Sequence, residues 1–164
     1  MKNRWLALGA FAVLVLLALA YRHLFPNDER IIRHQFSQLA RVASVPPNES
    51  PLARLAKAQR VARFFASDAV LTIASHGVGT VEGRDQLLTM VVTARANLSQ
   101  ARFQIPDVQV VLDPDRQSAA VDLTALAEIN GDKSVEVLEF RGSLRKQDGR
   151  WLITRLDPVK NFGQ

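Results

Sequence analysis

At 164 residues the chain has room for one domain once its apolar start is set aside, and residues 28–164 suffice for a hydrophobic core without covalent staples. It contains no cysteine, which excludes disulfides, thiolate metal sites and cysteine nucleophiles. The net charge of +5 is uneven: residues 28–67 hold seven Lys/Arg against three Asp/Glu, whereas residues 68–164 hold eleven against thirteen. Basic residues therefore gather near the apolar start, on what reads as a solvated helix face, and no nucleic-acid footprint is expected.

Residues 5–21 (WLALGAFAVLVLLALAY) carry no charge, with Lys2 and Arg4 before them and Arg22 and His23 after. A lysine or arginine at mid-bilayer costs about 2.5–3.5 kcal/mol, so such charges mark the ends of a span. With Leu24 and Phe25 added and Arg22 and His23 snorkelling, the segment is long enough to cross a bilayer. Trp5 and Tyr21 stand where interfacial aromatics belong. The expectation is a single-pass anchor over residues 1–25, contacting lipid through residues 5–25, followed by one domain over residues 26–164. The alternative is cleavage after Ala18-Leu19-Ala20, an A-x-A site behind a charged start. Packing two basic residues and the α-amine into the first four residues favours a cytoplasmic N-terminus. The domain is then expected outside, in the periplasm if the source is a bacterium.

Asn27 is placed to cap a helix over 28–43 whose first turn carries Asp28 and Glu29. Ile31, Ile32, Phe36, Leu39 and Val42 give it an apolar face. Ser50-Pro51 opens a second helix. Leu52, Leu55, Ala56, Ala62 and Phe65 are expected inside, and Arg54, Lys57, Arg60 and Arg63 in solvent. Residues 69–74 read as a strand, His76–Gly79 as a turn, and Gly83-Arg-Asp as the start of a third helix facing the core through Leu87, Leu88, Val91 and Ala94. From there the apolar period becomes two. Strands are expected over 102–112, with a bulge at Pro106-Asp107, and over 118–129, 134–146 and 151–156. Asn130-Gly131 and Asp148-Gly149 mark the turns. Phe65, Leu123 and Trp151 are the expected core markers.

Three helices, one strand between the second and third, then four strands make an α+β layout. With Phe64-Phe65-Ala-Ser-Asp68-Ala-Val, Gly83-Arg-Asp and Leu144-Arg-Lys-Gln-Asp-Gly-Arg-Trp151-Leu-Ile in that order, residues 28–160 resemble the nuclear transport factor 2-like (SnoaL-like) superfamily. The resemblance implies a cone-shaped, curved antiparallel sheet packed on three N-terminal helices, here preceded by a hydrophobic transmembrane helix. Its isomerase-type members use an acid late in the first strand, a tyrosine in the first helix and a second acid on a later strand. Here those positions hold Ile73, no tyrosine (Tyr21 is in the apolar segment), and Phe140 or Arg141, so that catalytic set is not carried over.

No other constellation supplies chemistry. His23, His34 and His76 lack metal spacing, Gly77-Val-Gly79 is too short for a dinucleotide loop, and neither metal nor cofactor is expected. If Asp148-Gly149 forms a two-residue loop, Leu144 faces Ile153, Gly142 faces Arg155 and Phe140 faces Asp157. Arg155 and Asp157 then share the apolar face with Leu138, Phe140 and Trp151. With His76 they are the candidate pocket rim. The opposite face, with Asp122, Thr124, Leu126, Glu139, Arg141, Leu152 and Thr154, suits a homodimer contact or solvent. Two functions remain: an anchored, non-catalytic module for a small apolar ligand or a protein partner, or an enzyme on a small apolar molecule using Asp157, His76 or Glu82.

Overall fold

The computed structural model describes residues 27–73, 79–132 and 134–159. Helix α1 (Asp28–Ala43) starts where the Asn27 side chain accepts a hydrogen bond from the Arg30 amide at 3.1 Å. Helix α2 (Pro51–Ala62) starts where Ser50 accepts from the Ala53 amide at 3.3 Å. Strand β1 (Phe65–Ile73) and the short β2 (Gly79–Glu82) precede helix α3 (Arg84–Asn97). Strands β3 (Ala101–Leu112), β4 (Ser118–Ile129), β5 (Glu136–Gln147) and β6 (Arg150–Pro158) follow as a meander. The hydrophobic segment of residues 5–25 lies outside the described residues. Among those described, no helix is long and apolar enough to cross a membrane.

The six strands form one curved sheet in the order β2-β1-β6-β5-β4-β3. It is mixed rather than antiparallel, because β1 lies parallel to β6. A parallel neighbour needs a long crossover, and here everything from β2 to β5 supplies it. Local periodicity does not reveal such a pairing. The register of β3 slips between Gln104 and Asp107, at the bulge that Pro106 demands by lacking an amide hydrogen.

Helix α1 lies along β3, where Arg33 Nε donates to the Val108 carbonyl at 3.1 Å, and α2 packs on α3. The core runs through Ile32, Phe36, Val61, Phe65, Leu87, Val121, Leu123, Leu144, Trp151 and Ile153, so all three expected markers are buried. The expected helix faces need correction. Ile31, Leu52 and Leu55 are exposed, and α2 buries Ala58, Val61 and Ala62 instead. The buried residues of α2 thus all lie in its C-terminal half. On α3 the buried residues are Leu87 and Arg95.

The three family-like motifs have structural work to do. Arg84 donates twice to the Phe65 carbonyl, at 3.0 and 2.6 Å, across the irregular stretch of β1. Gly83 makes this turn at φ +82°, a conformation that L side chains rarely adopt. Asp68 accepts from Arg145 through both oxygens at 3.1 Å. The Trp151 indole donates to Asp28 at 3.1 Å. Asp28, 2 % exposed, also accepts from Lys146 at 2.9 Å, so the first turn of α1 is pinned to the β5–β6 hairpin.

Candidate functional site

Strand pairing puts Leu112, Ala119, Leu144 and Ile153 in one row on the helix-facing side, at the closed end of the cone. The next rows hold Val110, Val121, Gly142 and Leu156, then Val108, Leu123 and Phe140, then Ala125 and Leu138. Exposure rises along β5 from 2 % at Leu144 through half-buried Phe140 to 41 % at Leu138. This face thus opens outward as an apolar surface. The first charged residue on its β5 row is Glu136, opposite Ala127 at the strand start.

The candidate rim is divided by a bulge. Leu144 pairs with Ile153 as the hairpin demands, but Ser143 pairs with Arg155, leaving Thr154 extra. Gly142 therefore faces Leu156, not Arg155, and Arg141, not Phe140, faces Asp157. Because side chains alternate, one inserted residue turns Arg155 and Asp157 to the face away from the helices. Thr154 pins the bulge by donating to the Ser143 carbonyl at 3.1 Å. A Cβ on Gly142 would sit 3.0 Å from the Arg155 carbonyl oxygen and 3.1 Å from Val121, so glycine makes room for the distortion. His76 lies outside the described residues.

On that outer face Arg155 Nε donates to Asp157 at 2.5 Å, and Thr72 donates to the other Asp157 oxygen at 2.5 Å. The Arg155 guanidinium, helped by the Thr72 hydroxyl, holds the Asp157 carboxyl below the usual carboxylate range against the opposing effect of burial. Asp157 in turn raises Arg155. Arg141 pairs with Asp122 at 2.9 Å beside them, and its pKa is raised by that carboxylate. A line of alternating charge thus crosses the outer face. Leu152, expected on that outer face at a homodimer contact or in solvent, is buried within the domain.

Among the described residues the buried charged ones are Asp28, Glu49 and Arg95, and the last two form a cluster that the sequence reading missed. Arg95 Nη2 donates to both Glu49 oxygens at 2.8 and 2.9 Å, and Nη1 donates to the Val42 and Ala43 carbonyls at 3.1 and 2.7 Å. Lys57 reaches Glu49 at 2.8 Å. Burial pushes the Glu49 carboxyl up, but the bonds and charges of Lys57 and Arg95 prevail and hold it below its ordinary value. Arg95 thereby satisfies carbonyls that the end of α1 leaves open. The signal for it was present: Arg95 follows Leu87 and Val91 at intervals of four, on the inward stripe of α3. Among the described residues, no group of three His, Asp or Glu side chains is arranged to hold a metal ion.

A curved mixed sheet closed by three helices, with an apolar row running to its open end, defines a cone-shaped domain of the nuclear transport factor 2-like class. The chain belongs to the SnoaL-like domain family, whose profile matches residues 54–157. An NTF2-like protein with a cystatin-like fold from Novosphingobium aromaticivorans superposes with a TM-score of 0.69 at 14 % identity, covering 91 % of this chain and 92 % of that one. A candidate scytalone dehydratase from the same organism gives 0.63 at 14 % identity, covering 81 % and 85 %. An NTF2-like protein of unknown function from Pseudomonas putida gives 0.67 at 13 % identity, covering 85 % and 90 %. At such identities the likeness is one of fold. No curated protein matches the chain.

Proposed function

We propose that the chain is a membrane-held, non-catalytic module that receives a small apolar ligand, or an apolar segment of a partner protein, at the open end of its cone. The observation that carries this reading is the helix-facing row of the sheet, which stays apolar from Leu144 out to Leu138. Half-buried apolar walls are what a small apolar guest needs. General acid–base chemistry instead needs a base of suitable pKa within reach of the substrate. Asp157 points away from the cone, and its carboxyl is held low by Arg155, which weakens it as a base. Membrane attachment is supported by the uncharged run of residues 5–21 and its charged flanks.

Two measurements test the two parts. The full-length protein should stay with membranes through high-salt and carbonate washing. Recovery in the soluble fraction with Tyr21 as the first residue would replace the anchor by a cleaved leader. The same protein, purified in non-ionic detergent, should not accelerate deuterium exchange into small enolisable ketones. Exchange that disappears in Asp157→Asn, with the fold intact, would establish the enzyme reading instead.

A further inference from the structure

Two contiguous clefts, of about 350 and 270 Å³, lie between α1, the end of α2 and the β5–β6 hairpin, sharing Gln38, Arg63, Phe64 and Arg150. Arg41, Val42 and Arg60 complete the lining of the larger one, so four solvent-exposed arginines border it from three elements. No carboxylate lines either cleft. Outside the clefts Arg33, Arg84, Arg95, Arg141, Arg145 and Arg155 each hold a carboxylate or a carbonyl, whereas the side chains of Arg30, Arg54 and Arg102 hold neither among the described residues. The side chains of Arg41, Arg60, Arg63 and Arg150 hold neither among the described residues. Gln35, which also lines the smaller cleft, keeps a buried amide nitrogen without a hydrogen-bond partner.

We infer that this cleft is a binding site for a phosphate-bearing anion. Four like charges around one concavity repel one another, and no acid lines it to relieve them. A di- or polyanion removes that repulsion. Guanidinium is the group best matched to phosphate, because its planar fork gives two parallel N–H bonds to two oxygens. Arg60 in the last turn of α2 and Arg63 at its C-cap lie about one turn apart, and Arg150 borders the cleft from the hairpin, so one phosphate can be gripped from two sides. Phe64 and Trp151 add apolar wall, which suits a phosphate carried on an organic group. That group is either a soluble phosphoester or the headgroup of an anionic lipid. The proposal goes beyond the cone reading and does not rest on it, since it requires neither the anchor nor an apolar guest.

The test uses the full chain in non-ionic detergent, with two probes read by calorimetry and thermal unfolding: inorganic pyrophosphate, and mixed micelles containing short-chain phosphatidic acid. At least one should bind and raise the unfolding temperature beyond the effect of sodium chloride at equal ionic strength. Arg60→Gln/Arg63→Gln should lower that affinity roughly ten-fold or more, equivalent to about 1.4 kcal/mol. Arg30→Gln/Arg102→Gln removes the same charge outside the cleft and should leave the affinity within about two-fold. Each double variant is checked for an unchanged unfolding temperature without ligand. Binding of pyrophosphate alone identifies a soluble phosphoester, binding of micelles alone a lipid headgroup, and either result supports the site. Failure of both probes at millimolar concentration, or equal weakening by the two double variants, would overturn it.

Discussion

Replacing Arg95 by Met should destabilise the domain by about 3–5 kcal/mol, the cost of leaving a buried charge without its partner. Methionine fills a similar volume, so the loss is electrostatic rather than a cavity. Glu49 would keep only Lys57, and the Val42 and Ala43 carbonyls at the end of α1 would lose their donor. Small domains hold about 5–15 kcal/mol in total, so the variant should remain folded only in mild conditions. Arg95→Lys should fall between, because an ammonium restores charge but not the fork that spans carboxylate and carbonyls at once. The pH dependence separates this from a packing defect. Glu49 is held below its ordinary value in the folded state. Its contribution is therefore complete above the unfolded carboxyl range, about 4.3, and is lost as pH falls through the lowered folded value. Urea titrations from pH 7 down to 3 should show a shallower acid loss in Arg95→Met than in the wild type. An identical slope would mean that the cluster contributes no linked stability.

What could be read from the sequence was what is decided locally. Asn27 and Ser50-Pro51 mark helix starts within four residues, and both helices begin where those caps require. Pro106 cannot donate to a ladder, so its bulge was visible. The bulge at Thr154 was not, because threonine is an ordinary strand residue. Its cue stands across the strand at Gly142, and glycine there has meaning only once the partner is known. That single residue decides which face Arg155 and Asp157 occupy. The parallel β1–β6 pair depends on residues 85 to 88 positions apart in sequence. The arginines of α2 read as a solvated face because helical period gives a direction and not a neighbour. Arg41 and Arg150, which make that face a cleft, come from other elements. Charged residues in cores are the hardest to foresee. Asp28 reads as favourable to the helix dipole in any setting, and only the approach of Trp151 and Lys146 makes it a buried acceptor.

Phe65→Ala should cost about 3–5 kcal/mol, the range for removing a fully buried aromatic ring. Phe65 is 3 % exposed and lies beside Ile153 at the closed end of the cone, where β1 joins β6. Relaxation is limited on both sides. The Phe65 carbonyl is held by two bonds from Arg84, and Ile153 is fixed by its pairing with Leu144. The backbone therefore cannot close around the missing ring, and the cavity term adds to the lost transfer energy. Phe65→Leu retains most of the apolar volume and should lose about 1–1.5 kcal/mol. Leu52→Ala serves as the control: Leu52 is 79 % exposed, and its removal should change stability by no more than about 0.5 kcal/mol. Urea unfolding of the three variants, at unchanged slope, gives the comparison. A Phe65→Ala loss below about 1 kcal/mol would show that the closed end repacks freely, and the rigid account of the β1–β6 junction would then be wrong.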